Sequence, residues 1–228
     1  MNQLTIGGLL RTSMHVWKTN FVPFTAIALV LYLPALIVQL VTSEETWNLL
    51  MIPLGLLLSS MIAAAVTYGV IMELNGTRPS VRKCVTIGLA QIGPVIAVML
   101  LSTLAMWGGF ILLVVPGLIV AMMTYVVVPV AVIEKPGIRA SLRRSRELVN
   151  GHKGKLFVTT LVLLVPTGLD LLLKQSVSET AMMVVRLGIN ALSGLFGALL
   201  SAVAYTLIRQ EKEGTQVPEL ATAFARLA

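Results

Sequence analysis

Apolar runs about as long as a bilayer is thick alternate along this chain with short intervals that gather nearly every charge. Phe21 to Val41 is the first run, 21 residues without a charge. As a helix it reaches about 30 Å, the thickness of a hydrocarbon core. Thr42 to Asn48 reads as a short acidic turn. A second span follows from about Leu49 to Met72, rich in small residues (Ser59, Ser60, Ala63, Ala64, Ala65, Gly69) that let helices approach closely in lipid. From Gly93 to Ile133 there are 41 uncharged residues, too many for one helix. Trp107-Gly108-Gly109 and Val115-Pro116-Gly117 mark the break. This predicts spans from Gly93 to about Phe110 and from about Pro116 to Ile133, with Gly108-Gly109 as a turn signal. The fifth span is Leu156 to Leu173, the turn Lys174 to Thr180, and the sixth span about Ala181 to Ile208. In the sixth, Ser193, Gly197 and Ser201 recur every four residues, as do Gly194, Ala198 and Ala202, which reads as a helix-packing seam.

The polar intervals have a pattern of their own. Asn2 to Asn20 is amphipathic, with Leu9, Leu10, Met14 and Trp17 at helical spacing and Arg11, His15 and Lys18 opposite. A helix lying in the membrane interface fits, with Trp17 at headgroup depth and His15 a solvated surface histidine. Glu73-Leu-Asn-Gly76-Thr-Arg78-Pro-Ser80-Val-Arg82-Lys83 has the same order as Glu134-Lys-Pro-Gly137-Ile-Arg139-Ala-Ser141-Leu-Arg143-Arg144. A fainter copy, Glu211-Lys-Glu-Gly214, closes the last apolar run. The fold expected is therefore an all-α integral membrane protein of six transmembrane helices, in three repeats of interfacial amphipathic helix plus helical hairpin. The units are 1–72, 73–133 and 134–208, followed by a polar, weakly amphipathic tail over 209–228.

Composition agrees: 57% of residues are hydrophobic, 12% are charged and the mean hydropathy is +0.90. A water-soluble domain carries roughly twice that charged fraction. The net charge of +7 does not imply nucleic acid, because the bases lie between apolar runs, where they orient helices and meet anionic headgroups. Fifteen of the 17 Lys and Arg residues fall on one side of the expected topology. Lys174 stands alone on the other, and Arg186 lies inside the sixth span. Both termini are therefore expected on the cytoplasmic side. The N-terminus does not read as a cleavable signal, since a long mixed segment precedes a run able to span. The single cysteine, Cys84, excludes an internal disulfide and a cysteine-based metal cluster. It reads as a small residue on a helix face.

Three groups of residues could carry chemistry. Asp170 and Arg186, eight residues either side of Ser178, reach similar depth in a hairpin and are expected to form an intramembrane ion pair. Glu73 and Glu134 end the inner halves of two spans, and their expected role is a structural clamp receiving bases of their own or the next unit. Arg139, Arg143 and Arg146 share a face of a helix with Arg144 flanking, while Ile138, Leu142 and Val149 take another side. With Lys153, Arg78, Arg82 and Lys83 they are the candidates for binding lipid headgroups or phosphate. No nucleophile elbow, P-loop, zinc-protease helix or dinucleotide fingerprint is present. No cofactor, metal or catalytic set is expected.

Pro129-Val-Ala-Val-Ile-Glu134, Gly137, Ala140-Ser-Leu-Arg-Arg-Ser145, Leu148 and Gly151 resemble the signature of the YciC-like family, as does Val115-Pro-Gly-Leu118 ahead of a span. That group includes the membrane domain attached to some glycerophosphoryl diester phosphodiesterases. Many members carry an aromatic residue where this chain has Arg146. The resemblance implies a multi-span protein of the bacterial inner membrane. It does not carry hydrolase activity across, since these residues provide no soluble barrel of about 250 residues. The function expected is a non-enzymatic, lipid-interacting or membrane-organising protein, with anionic lipids and further copies of itself as partners. The rival is a transporter or channel for a small or lipid-like solute, using kinked spans and the Asp170–Arg186 pair.

Overall fold

The computed structural model describes residues 4–161 and 179–225, and all the regular elements among them are helices. The first is α1 (Ile6–Thr19), opened by Thr5, whose hydroxyl accepts from the Gly8 amide at 3.1 Å. Leu9, Ser13 and Val16 form its buried face, while Arg11, Met14, His15 and Lys18 are exposed. Met14 thus lies on the outer face, not the apolar one expected. Trp17 meets Phe21 edge-on and Phe196 at a tilt, each 5.1 Å away, and so packs against the bundle.

The first hairpin is α2 (Phe21–Val41) and α3 (Glu44–Leu74). The expected turn over Thr42–Asn48 shrinks to two residues, because Ser43 caps α3 by accepting from the Thr46 amide and helix resumes at once. Four helices follow: α4 (Val81–Ala90), α5 (Ile92–Leu112), α6 (Val114–Met123) and α7 (Val127–Ile133). Next come α8 (Ile138–Val149), α9 (helical over 153–161), α10 (Glu179–Glu213) and α11 (Val217–Ala225).

Among the described residues, five helical stretches are long and apolar enough to cross a membrane: Phe21–Val38, Pro53–Leu74, Ile92–Leu112, Val114–Ile133 and Gly188–Glu213. The expected fifth span, 156–173, is helical as far as residue 161, and the rest of it lies outside the described residues. At the centre α3 and α10 pack on each other, and α1, α2 and α7 touch both. Small residues make this possible. Gly88 of α4 sits where a Cβ would come within 3.0 Å of the Met61 carbonyl of α3. The seam on α10 is used inside the chain, with Ala198 and Ala202 buried. Outward, Leu29, Leu33, Ile37 and Leu40 of α2 and Leu100, Leu104 and Ile111 of α5 are exposed, an apolar belt suited to lipid.

The uncharged region differs from expectation in two ways. Helix α5 runs through Trp107-Gly108-Gly109 and stops only at Leu113, so the glycines are not a turn. Gly109 instead meets Gly117: a Cβ there would lie 2.8 Å from the Gly117 Cα. The expected fourth span is also interrupted, at Thr124–Val126 between α6 and α7. Backbone freed at membrane depth needs partners. The Ser145 hydroxyl donates to the Met123 carbonyl and the Ser201 hydroxyl to that of Tyr125, both at 2.8 Å.

The segment expected to begin a tail continues α10 by more than a turn, to Glu213. Gly214 then turns the chain with φ +66°, and α11 buries Leu220, Ala221 and Phe224. Phe224 meets Tyr68 of α3 edge-on at 5.1 Å. Gly76 and Gly137 also have positive φ, +76° and +93°. At Gly76 the amides of Gly76 and Thr77 bond back to the carbonyls of Glu73 and Met72, which closes α3.

Candidate functional site

Among the described residues, the densest polar cluster lies where α7, α8 and the last turns of α10 meet. Glu134 follows the last residue of α7, and its amide still bonds to Val130, so its carboxylate has a fixed origin. One of its oxygens accepts from the Arg144 Nε at 2.9 Å, and the other from the Tyr205 hydroxyl at 2.9 Å. Arg209, one turn beyond Tyr205 on α10, donates to the Tyr205 oxygen at 3.0 Å and lies 3.6 Å from Glu134. Glu213, a further turn on, joins the two arginines: its oxygens lie 2.5 Å from Arg144 and 2.8 Å from Arg209. The result is a closed ring of two carboxylates and two guanidiniums around a fully buried tyrosine hydroxyl. Its formal charges cancel.

Burial alone would lower the Arg144 pKa, but Glu134 and Glu213 beside it hold it above its ordinary value. Such a ring can lock three helices in register. Every oxygen of both carboxylates and both guanidiniums are engaged, so it offers no free base and no nucleophile.

A second group extends the lock. Lys212 donates to the carbonyls of Glu147 (2.9 Å) and Asn150 (2.7 Å), satisfying the C-terminal end of α8, where a cation also suits the helix dipole. Glu211 accepts from the Leu4 amide at 2.7 Å, tying down the N-terminal segment, and lies 4.0 Å from the His152 Nε2. His152 is buried, and its Nδ1 has no partner among the described residues. Burial pulls its pKa below the ordinary histidine value, against the raising influence of Glu211.

The basic candidates separate by face. Arg139, Arg143 and Arg146 are exposed on the outer side of α8, and Arg143 pairs loosely with Glu147 at 3.6 Å. Arg144 turns inward to the ring, so α8 places it apart from its three neighbours and not among them. Of the apolar side expected for α8, Val149 is buried, Leu142 half-buried and Ile138 exposed, while Ser141, Ser145 and Leu148 complete the buried face. Arg78, Arg82 and Lys83 are exposed around the start of α4, and Lys153 is half-buried at the start of α9.

Glu73 is half-buried and has no ion pair among the described residues, unlike Glu134. The other half of the ring, Arg209 and Glu213, lies in what the sequence assigned to the tail. The signal was its spacing: Tyr205, Arg209 and Glu213 recur every four residues, one helical stripe.

Asp170 lies outside the described residues, as does the side chain of Arg186, so their expected pairing falls outside the structure described. Cys84 is buried, and burial pushes its thiol up to about 12, which makes it an unreactive packing residue. No group of three or more metal-ligating side chains occurs among the described residues. Comparison with protein families, with curated proteins and with solved structures gives no match to this chain.

Proposed function

We propose that this chain is a non-enzymatic polytopic protein of a bacterial inner membrane, akin to the YciC-like group. In this reading it organises or contacts lipids through a basic cytoplasmic face. The observation that carries the reading is the partition of arginines on α8. One is spent on the internal ring, while Arg139, Arg143 and Arg146 stand outward beside the ends of apolar helices, where headgroup phosphates would lie. Arg78, Arg82 and Lys83 add charge at the start of α4. Three units of interfacial helix plus hairpin, 1–72, 73–133 and 134–208, underlie the arrangement. Support comes from Gly76, Gly137 and Gly214, which share the echoed position and positive φ, each leading into a short helix.

Two measurements test this. Each outward arginine contributes about 1 kcal/mol with anionic lipid. Changing Arg139, Arg143 and Arg146 together to Gln is therefore expected to lower the enrichment of phosphatidylglycerol over phosphatidylcholine around the protein by up to about 100-fold. Unchanged enrichment would remove lipid contact from the reading. Reporter tags at Ser80, Ser141 and the C-terminus are expected on the cytoplasmic side, and one at Glu44 on the opposite side. Tags at Ser80 and Ser141 emerging on different faces would overturn the topology.

A further inference from the structure

Between the start of α5 and the elbow joining α7 to α8 lies a cleft of about 540 Å³. Pro94, Ala97 and Val98 of α5 face Ala131 of α7 across its apolar part. Its polar end is different. Two helices begin there, α5 after Gln91 and α8 after Gly137, and neither has a side-chain cap. The amides of Ile92 and Gly93 in α5 (Pro94 has none) and of Ile138 in α8 are without helical partners.

Gln91 lines this end with 8% of its surface exposed; its backbone amide bonds to Ile87, but its side-chain amide has no partner among the described residues. Its amide atoms are not sealed from the surface, so the side-chain NH2 can donate to the acceptor oxygens of a ligand in the cleft. Lys135 lines the mouth and has no acidic partner among the described residues. The neighbouring Glu134 carboxylate is directed into the ring, bonded to Arg144 and Tyr205. Lys135 itself is held at φ +49°, a left-handed conformation that a non-glycine residue adopts only when its surroundings impose it. A cation, an unpartnered side-chain amide and two helix starts thus line one cleft beside an apolar wall.

We propose that this cleft seats the phosphate of one phospholipid between Lys135, Gln91 and the N-termini of α5 and α8, with an acyl chain along Pro94, Ala97, Val98 and Ala131. This rests on the reading that this end of the bundle lies at headgroup depth. It adds a discrete site, distinct from the arginines on the outer face of α8. An anion at paired helix starts and hydrocarbon on the adjoining wall match the two halves of such a lipid.

The test uses the full chain in mild detergent, with retained ligands read by native mass spectrometry. The probes are phosphatidylglycerol, diacylglycerol of the same chains, and glycerol 3-phosphate. Gly93→Trp fills the cleft, since a Cβ at Gly93 meets nothing within 4 Å. Lys135→Gln removes the cation. The wild type is expected to hold one phosphatidylglycerol about tenfold more strongly than diacylglycerol. Either variant is expected to reduce that retention about fivefold or more while melting as the wild type does.

Equal retention of the two lipids, or unchanged retention in Gly93→Trp, overturns the proposal. Displacement by millimolar glycerol 3-phosphate also overturns it, assigning the cleft to a soluble phosphate. The Arg139, Arg143 and Arg146 variant separates the two readings. If it sheds peripheral lipid while the cleft variants keep their single lipid, the cleft falls and the broader reading stands. If it sheds nothing while the cleft variants lose theirs, the basic face falls and the cleft stands.

Discussion

Replacing Glu134 with leucine is expected to destabilise the protein by about 3 kcal/mol, the cost of leaving one partly buried positive charge uncompensated. The carboxylate is the only acceptor shared by Arg144, Arg209 and Tyr205 among the described residues. Without it, Arg144 and Arg209 share Glu213 as their one carboxylate, two cations against a single charge. The side chains retain 18–29% exposure, so water recovers part of the loss, which places the figure at the low end for buried pairs.

Glu134→Gln should lose about half as much, because an amide oxygen still accepts one of the donors. A double variant, Glu134→Leu with Arg144→Met, should recover most of the stability, since exchanging charged partners for apolar ones removes the stranded charge. Unfolding by sodium dodecyl sulfate from mild-detergent micelles measures all three. A Glu134→Leu protein as stable as the wild type would mean that the ring is ornamental, with its charges solvated independently.

Leucine at Gly109 is the second large change, expected to cost about 3 kcal/mol. The atoms that a Cβ would meet are the Cα and N of Gly117, at 2.8 Å and 3.0 Å. Backbone cannot rotate away as a side chain can, so α5 and α6 must separate along their whole contact. Gly108, one position earlier, has nothing within 4 Å of its missing Cβ, and leucine there should be tolerated within about 0.5 kcal/mol. Trp107 beside this contact reports the change by its fluorescence. If the two variants unfolded alike, the close approach of α5 and α6 would not be what holds that hairpin.

The long helices were legible because an uncharged run of bilayer length admits few alternatives. Phe21 to Val41 was bounded by composition alone, and α2 has those limits. What the sequence concealed were features decided by packing. Gly108-Gly109 has the local signature of a turn, yet one glycine faces a partner backbone and the other faces outward. The break at Thr124–Val126 has neither glycine nor proline, and it persists because hydroxyls from α8 and α10 satisfy the freed carbonyls.

The ring was half legible. Glu134 and Arg144 lie in the echoed polar interval, where an ion pair is easily anticipated. Arg209 and Glu213 looked like the polar start of a tail because hydropathy falls there, although the helix does not end. A stripe at four-residue spacing would have shown the continuation, and only tertiary contact reveals that it faces Glu134. Arg144 could not be told from Arg143 by composition. Its inward direction follows from the rotation of α8 set by buried Ser141, Ser145 and Leu148.

The bend between α5 and α6 is made of exposed aliphatic side chains, Ile111 through Val115. A lysine or arginine hauled through hydrocarbon during biogenesis costs roughly 3 kcal/mol at the midplane. This loop imposes no such toll, so the two limbs can enter the bilayer as a folded pin, apex first, before the rest of the chain has been made.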